Sequence, residues 1–81
     1  MRRFIIKRRS VGLGQPNPFR GGKRQVTFGP WQTVSIHPSL EVAEQTMRGY
    51  TAGLYDRAIF YKGKIVATTQ GRVPNYERLL Q

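Results

Sequence analysis

The chain has 81 residues, a formal net charge of +10, 38% hydrophobic residues and no cysteine. That length makes one small domain, which buries only about 60% of the surface its unfolded chain exposes. The lack of cysteine excludes disulfides and thiolate zinc sites as supports for so thin a core. No apolar run approaches the roughly 20 residues of a membrane span, and Phe4–Ile6 is too short for the apolar segment of a signal peptide.

Residues 2–9, RRFIIKRR, alternate as a half-buried basic strand, with Phe4 and Ile6 on one face and Arg3, Ile5 and Lys7 on the other. Read as a helix, the segment would be an Arg-rich targeting peptide, but it is short and lacks the Ser-rich continuation of one. Residues 10–24 then carry Gly12, Gly14, Pro16, Pro18, Gly21 and Gly22, a density that excludes helix and interrupts any strand. This predicts a long basic arm or loop, the kind of segment that serves as a contact element in a compact domain.

After the arm, Val26 and Phe28 alternate with Gln25 and Thr27, and beyond Gly29-Pro30 the run Trp31–Ile36 alternates again with Val34 and Ile36 inward. Two strands joined by a Gly-Pro bend fit this pattern, and so does one bent strand. Phe4 and Phe28 both fall on the inward phase of their strands. Ser39 is placed to cap a helix whose first turn holds Glu41, and Leu40, Ala43, Met47, Tyr50 and Leu54 recur along it at steps of three and four. Gly49 weakens its last turn and Gly53 supplies a left-handed end.

A hairpin follows, turning at Lys62-Gly63, with Phe60 opposite Ile65 and Ala58 opposite Ala67. Those four face the core in this reading and Tyr61 faces away. At the C-terminus, residues 74–81 form a tail in which Asn75 caps one short turn holding Tyr76, Leu79 and Leu80. The layout predicts an α+β fold in a single domain 1–81: a small antiparallel sheet of four to five strands with one helix packed on one face, plus the extended basic arm.

Residues able to do chemistry are few. His37 precedes Glu41 by four residues and Glu44 by seven, but Pro38 separates it from the helix, and the two glutamates sit where a helix start favours anions. Ser10, Ser35 and Ser39 lack a G-x-S-x-G context, and no thiol exists. Gly12 and Gly14 open no helix that would cradle a phosphate, and Arg20-Gly21-Gly22 is a single RGG-like triplet. The expectation is a non-enzymatic protein without metal or cofactor.

The charge is placed unevenly. The first forty residues hold eight basic residues and no acid, whereas the last forty-one hold six basic residues and all four acids, Glu41, Glu44, Asp56 and Glu77. A field so concentrated raises encounter rates with polyanions. The helix stripe carries only Arg48 as a basic residue, so no recognition helix is present and sequence preference is expected to be slight. The expected partner is DNA or RNA, contacted by Arg2, Arg3, Lys7, Arg8, Arg9, Arg20, Lys23 and Arg24, with Phe19 and Trp31 either stacking on bases or lying as a lid over the core. The alternative is a protein-docking accessory, such as a virion structural or cement protein or an inhibitor of a host enzyme, whose cations meet an acidic surface while Phe19, Trp31 and Leu79-Leu80 anchor it. In size, basicity and lack of catalytic residues the whole chain resembles the small accessory proteins of bacteriophages. The lack of a membrane span or signal segment predicts a soluble protein of intracellular type, in the cytoplasm or host cytoplasm and with no membrane partner, and the resemblance adds a place in the virion.

Overall fold

A computed structural model describes residues 2–16, 24–50 and 55–81. Its organising element is β1 (Phe4–Pro16), a 13-residue strand. On one edge β1 pairs antiparallel with β4 (Tyr55–Tyr61), from Ile5↔Phe60 to Ser10↔Tyr55. On the other it pairs with β3 (Gln32–His37) along its first half and with β2 (Arg24–Phe28) along its second. β5 (Lys64–Thr68) and the two-residue β6 (Gly71–Arg72) continue the sheet beyond β4. The sheet therefore has six strands rather than four to five, because Gly71–Arg72 folds back on Ala67 and Thr68.

β2 and β3 are two lengths of one edge, and Gly29–Trp31 makes the break between them. There the Gly29 N–H donates to the Ser10 carbonyl at 2.9 Å. A Cβ on Gly29 would strike the Ser10 hydroxyl, so a larger residue here would force that side chain to turn away. Of the arm expected over 10–24, residues 10–16 belong to β1, whose Pro16 lies opposite Arg24, and residues 17–23 lie outside the described residues. Gly12 does not interrupt the strand. It lets Thr27 come close: the Thr27 hydroxyl donates to the Gly12 carbonyl at 3.3 Å, and a Cβ on Gly12 would lie 3.0 Å from the Thr27 hydroxyl oxygen.

One helix, α1 (Leu40–Arg48), crosses the sheet. Its start is as expected, with the Ser39 side chain accepting from the Val42 N–H at 3.2 Å. It ends earlier than the apolar stripe suggested, at Gly49, where the Tyr50 N–H already bonds the Met47 carbonyl in a tighter turn. Leu54 and Gly53 lie outside the described residues. Leu40, Ala43 and Met47 pack onto Phe4, Ile6, Ile59, Tyr61, Val66 and Ala67 to form the core, with Val34 and Tyr50 against it. Phe4 and Tyr61 stack at its centre, 4.8 Å apart.

The hairpin turns at Lys62-Gly63, both with positive φ (51° and 79°), the geometry of a two-residue turn whose twist matches its strands. Phe60 lies opposite Ile65 as expected, yet the faces are exchanged: Tyr61 points to the helix side and Phe60 away from it. The register of β1 decides this. Ile6, under the helix, is paired with Ile59, so Ile59 and Tyr61 share its face, while Phe60 pairs with Ile5 on the other. A bulge between Ile59 and Phe60 then sets Ala58 opposite Thr68 instead of Ala67, and both Val66 and Ala67 reach the core.

The same register overturns the inward placement of three residues. Ile36 pairs with Ile5 and Phe28 with Val11, so Ile36, Phe28 and Val26 lie away from the helix and are 55%, 53% and 53% exposed. Val34 alone turns to the core, at a bulge opposite Ile6 and Lys7.

A short α2 (Tyr76–Leu79) closes the chain, with Tyr76, Leu79 and Leu80 packed on the core. Leu79 and Leu80 are thus half-buried supports of the domain's own core. Asn75 precedes the helix in a left-handed conformation and makes no side-chain cap. Among the described residues no helix is long and apolar enough to cross a membrane.

Because both faces of β4 are buried, at Phe60 and Tyr61 alike, Phe60→Ala and Tyr61→Ala should each cost about 3 kcal/mol in chemical denaturation. Ile36→Ser should change stability by no more than about 0.5 kcal/mol.

Candidate nucleic-acid interface

Alternation along β1 sends its consecutive basic residues to opposite faces. On the helix side, Arg8 lies directly opposite Arg57 in the ladder. The Arg8 guanidinium stands over the Tyr55 ring at 4.6 Å, and that of Arg57 over Tyr50 at 5.0 Å and Tyr55 at 6.0 Å. On the other face, Arg9 stacks on Phe28 at 3.9 Å and on Trp31 at 4.5 Å. Its Nε and Nη2 both donate to Asp56 Oδ2, at 2.9 and 2.8 Å. Lys7 reaches over Phe60 at 4.9 Å, and Trp31 meets Phe60 edge-on at 5.1 Å. A guanidinium on an aromatic face gains cation–π attraction and keeps its hydrogen-bonding edge in its own plane, so stacking orients the donors.

These contacts gather at one place. Past Ser10 β4 has ended, and β1 continues paired to β2 as a two-stranded ribbon. Arg8, Arg9 and Arg57 form a collar at the root of that ribbon, with Tyr50, Tyr55, Phe28 and Trp31 as its rings.

The remaining sequence candidates divide as follows. Arg2 and Arg3 are exposed ahead of β1, and Arg24 opens β2 at the far end of the ribbon. Phe19, Arg20 and Lys23 lie outside the described residues. Trp31 is half-buried and lies over Phe60 as a lid. Arg9 is held by two rings, and Asp56 lies against its charge. Tyr50, Tyr55, Arg57 and Asp56 were not among the sequence candidates. Their signal is the alternation of Tyr55, Asp56 and Arg57 along the first hairpin strand, which acquires meaning only when that strand is set against β1.

Glu41 and Glu44 are occupied elsewhere. Arg72 Nε donates to both carboxylate oxygens of Glu44 at 3.1 and 3.2 Å, Nη2 to Glu44 Oε1 at 2.7 Å, and Nη1 to the Tyr76 hydroxyl at 2.8 Å. The hydrogen bonds to Glu44 first, and to Tyr76 second, hold the Arg72 guanidinium charged even more firmly than usual. Glu41 lies 3.7 Å from the same guanidinium. His37 stands apart on β3, where its Nε2 shares a 2.8 Å hydrogen bond with Ser35 Oγ two residues away on the same strand face. Among the described residues no three of His, Cys, Asp and Glu gather as a metal site would require.

No known protein family, curated protein or solved structure matches this chain.

The Arg9–Asp56 pair is partly shielded, with side chains 28% and 34% exposed. A double-mutant cycle with Arg9→Gln and Asp56→Asn, read by chemical denaturation, should give a coupling of about 0.5–1 kcal/mol. Arg9→Gln alone should cost more than that coupling, because it also removes the stacking on Phe28 and Trp31.

Proposed function

We propose that the protein is a small non-enzymatic module that binds nucleic acid through the ribbon and its basic collar, with little sequence preference. The observation that carries this reading is the presence of aromatic-stacked cations on both faces of the sheet where the ribbon begins, Arg8 and Arg57 on one and Lys7 on the other. A two-stranded ribbon is narrow enough to enter the major groove of a duplex. Cations of the collar at its root then lie toward the two phosphate backbones that flank the groove, and contacts to phosphate position a protein without reading bases. In this reading Arg8 and Arg57 contact phosphate on one side and Lys7 on the other. Arg24 and, between the ribbon strands in sequence, Arg20 and Lys23 complete the set. Arg9 positions the collar, since its charge is already met by Asp56.

One feature favours the docking alternative, a phage-type accessory that meets an acidic protein surface. Ile36, Phe28 and Val26 are apolar and exposed on the face away from the helix. Salt separates the two readings, because phosphate contacts release counterions whereas an apolar-anchored contact weakens less as salt rises.

With six phosphate contacts, a titration of duplex DNA at several salt concentrations should give a log–log slope of about −5. The Arg8→Gln, Arg57→Gln double variant should bind more weakly to every sequence tested and flatten that slope by about two. Absence of binding at low salt to duplex and single-stranded DNA and RNA would end this reading in favour of protein docking.

A further inference from the structure

Past the collar, the ribbon formed by the second half of β1 with β2 has two chemically different faces. Val11 and Phe28 are partners on one rung, so they share the face turned away from α1, and Val26 lies on that face two residues before Phe28. Phe28 and Val26 are each 53% exposed. On the opposite face, the next rung pairs Gly12, which has no side chain, with Thr27, whose hydroxyl already donates to the Gly12 carbonyl. The Phe28 ring is also held in place. The Arg9 guanidinium lies on it at 3.9 Å, and Arg9 is itself fixed by Trp31 and Asp56. A side chain already ordered loses little entropy when it is covered, so this ring is prepared for a contact.

An open apolar face on a ribbon rooted in cations fits an apolar surface lying between two lines of negative charge. A second copy of the chain is a poor occupant, because each carries +10. The major-groove floor of A·T-containing B-form DNA meets both requirements: the C5-methyl of thymine projects into it, between the two phosphate backbones. Covering Phe28 and Val26 there removes apolar area from water, whereas covering the Gly12 and Thr27 face gains little of that kind. Side chains on one face of a strand recur about 6.8 Å apart, so Val26 and Phe28 reach different base pairs at a rise of about 3.4 Å. Double-stranded RNA offers neither element. Uracil lacks the methyl, and the A-form major groove is too deep and narrow for side chains to read.

We propose that Phe28 and Val26 face the floor of the major groove and contact thymine methyl groups, so that the ligand is B-form DNA with a slight tilt toward A·T sequence. This rests on the reading of the ribbon in the groove, and adds which face is turned to the bases and what it touches there.

The test compares duplexes that differ only at the C5 position. Fluorescence anisotropy of the full chain is read on an A·T duplex, the same duplex with uracil for thymine, a G·C duplex, and that duplex with 5-methylcytosine, which carries a methyl at the same place in the groove. Each methyl covered is worth about fourfold in affinity. The thymine duplex should therefore bind about tenfold more tightly than the uracil duplex, and the methylated G·C duplex should exceed the unmethylated one by a similar factor. Phe28→Ser and Val26→Ser should each narrow the thymine-to-uracil ratio with the salt slope unchanged, and Thr27→Ala, on the other face, should leave the ratio as it is. The comparison on the unaltered chain stands even if a variant fails to fold. Equal affinity for the thymine and uracil duplexes, with steep salt dependence, would overturn the methyl contact and leave the groove reading standing, whereas absence of binding to any duplex would overturn both. Duplex RNA bound as tightly as the thymine duplex would overturn the assignment. So would a ratio kept in folded Phe28→Ser and Val26→Ser, which would leave this face to a partner protein.

Discussion

The constraint on which the rest of the molecule depends is that β1 is hydrogen-bonded along both edges at once. Ile5 to Arg8 pair with β3 on one side and β4 on the other. In a strand of period two, pairing on both edges assigns each residue a face for the whole sheet. Ile6 selects Ser35 and Ile59 as its row, and Ile5 selects Ile36 and Phe60. Shifting β1 by one residue would exchange the core face for the open face across three strands together.

That single strand also links packing to charge. Its apolar half supplies Phe4 and Ile6 to the core, and its basic half, immediately after, supplies Lys7, Arg8 and Arg9. None of these three is left standing in solvent alone: each lies over a ring contributed by another part of the chain. The aromatic content of a small protein thereby serves two ends. Phe4 and Tyr61 fill the core, whereas Tyr55, Phe28 and Trp31 support cations at its margin.

Features settled by a few neighbouring residues were legible in the sequence. The Ser39 cap, the Lys62-Gly63 turn, the Phe60↔Ile65 pair and the short C-terminal turn all follow from local chemistry. What required distant partners was not. The faces of Ile36, Phe28, Phe60 and Tyr61 depend on the register against β1, and those of Val34, Val66 and Ala67 on bulges in its ladder with β3 and in that of β4 with β5. Gly12 reads as a breaker by composition but is a place of close approach, because Thr27 lies across from it. For the site, the basic character of residues 7–9 was plain from charge alone. Their grouping with Tyr50, Tyr55 and Arg57, more than forty positions later, arises only from the β1–β4 pairing.

The break at Gly29–Trp31 bears on how copies of this chain behave toward one another. It divides the outer edge of the sheet into lengths of five and six residues, and Pro30 within it has no N–H to donate. At the opposite edge the last strand is only two residues long. Neither margin presents a long unbroken row of donors and acceptors on which another strand could template itself, which is how natural sheets avoid edge-to-edge aggregation. A protein that leaves Ile36, Phe28 and Val26 open to solvent therefore guards its backbone where it does not guard its side chains, and self-association through strand pairing is opposed by covalent structure as well as by its charge of +10.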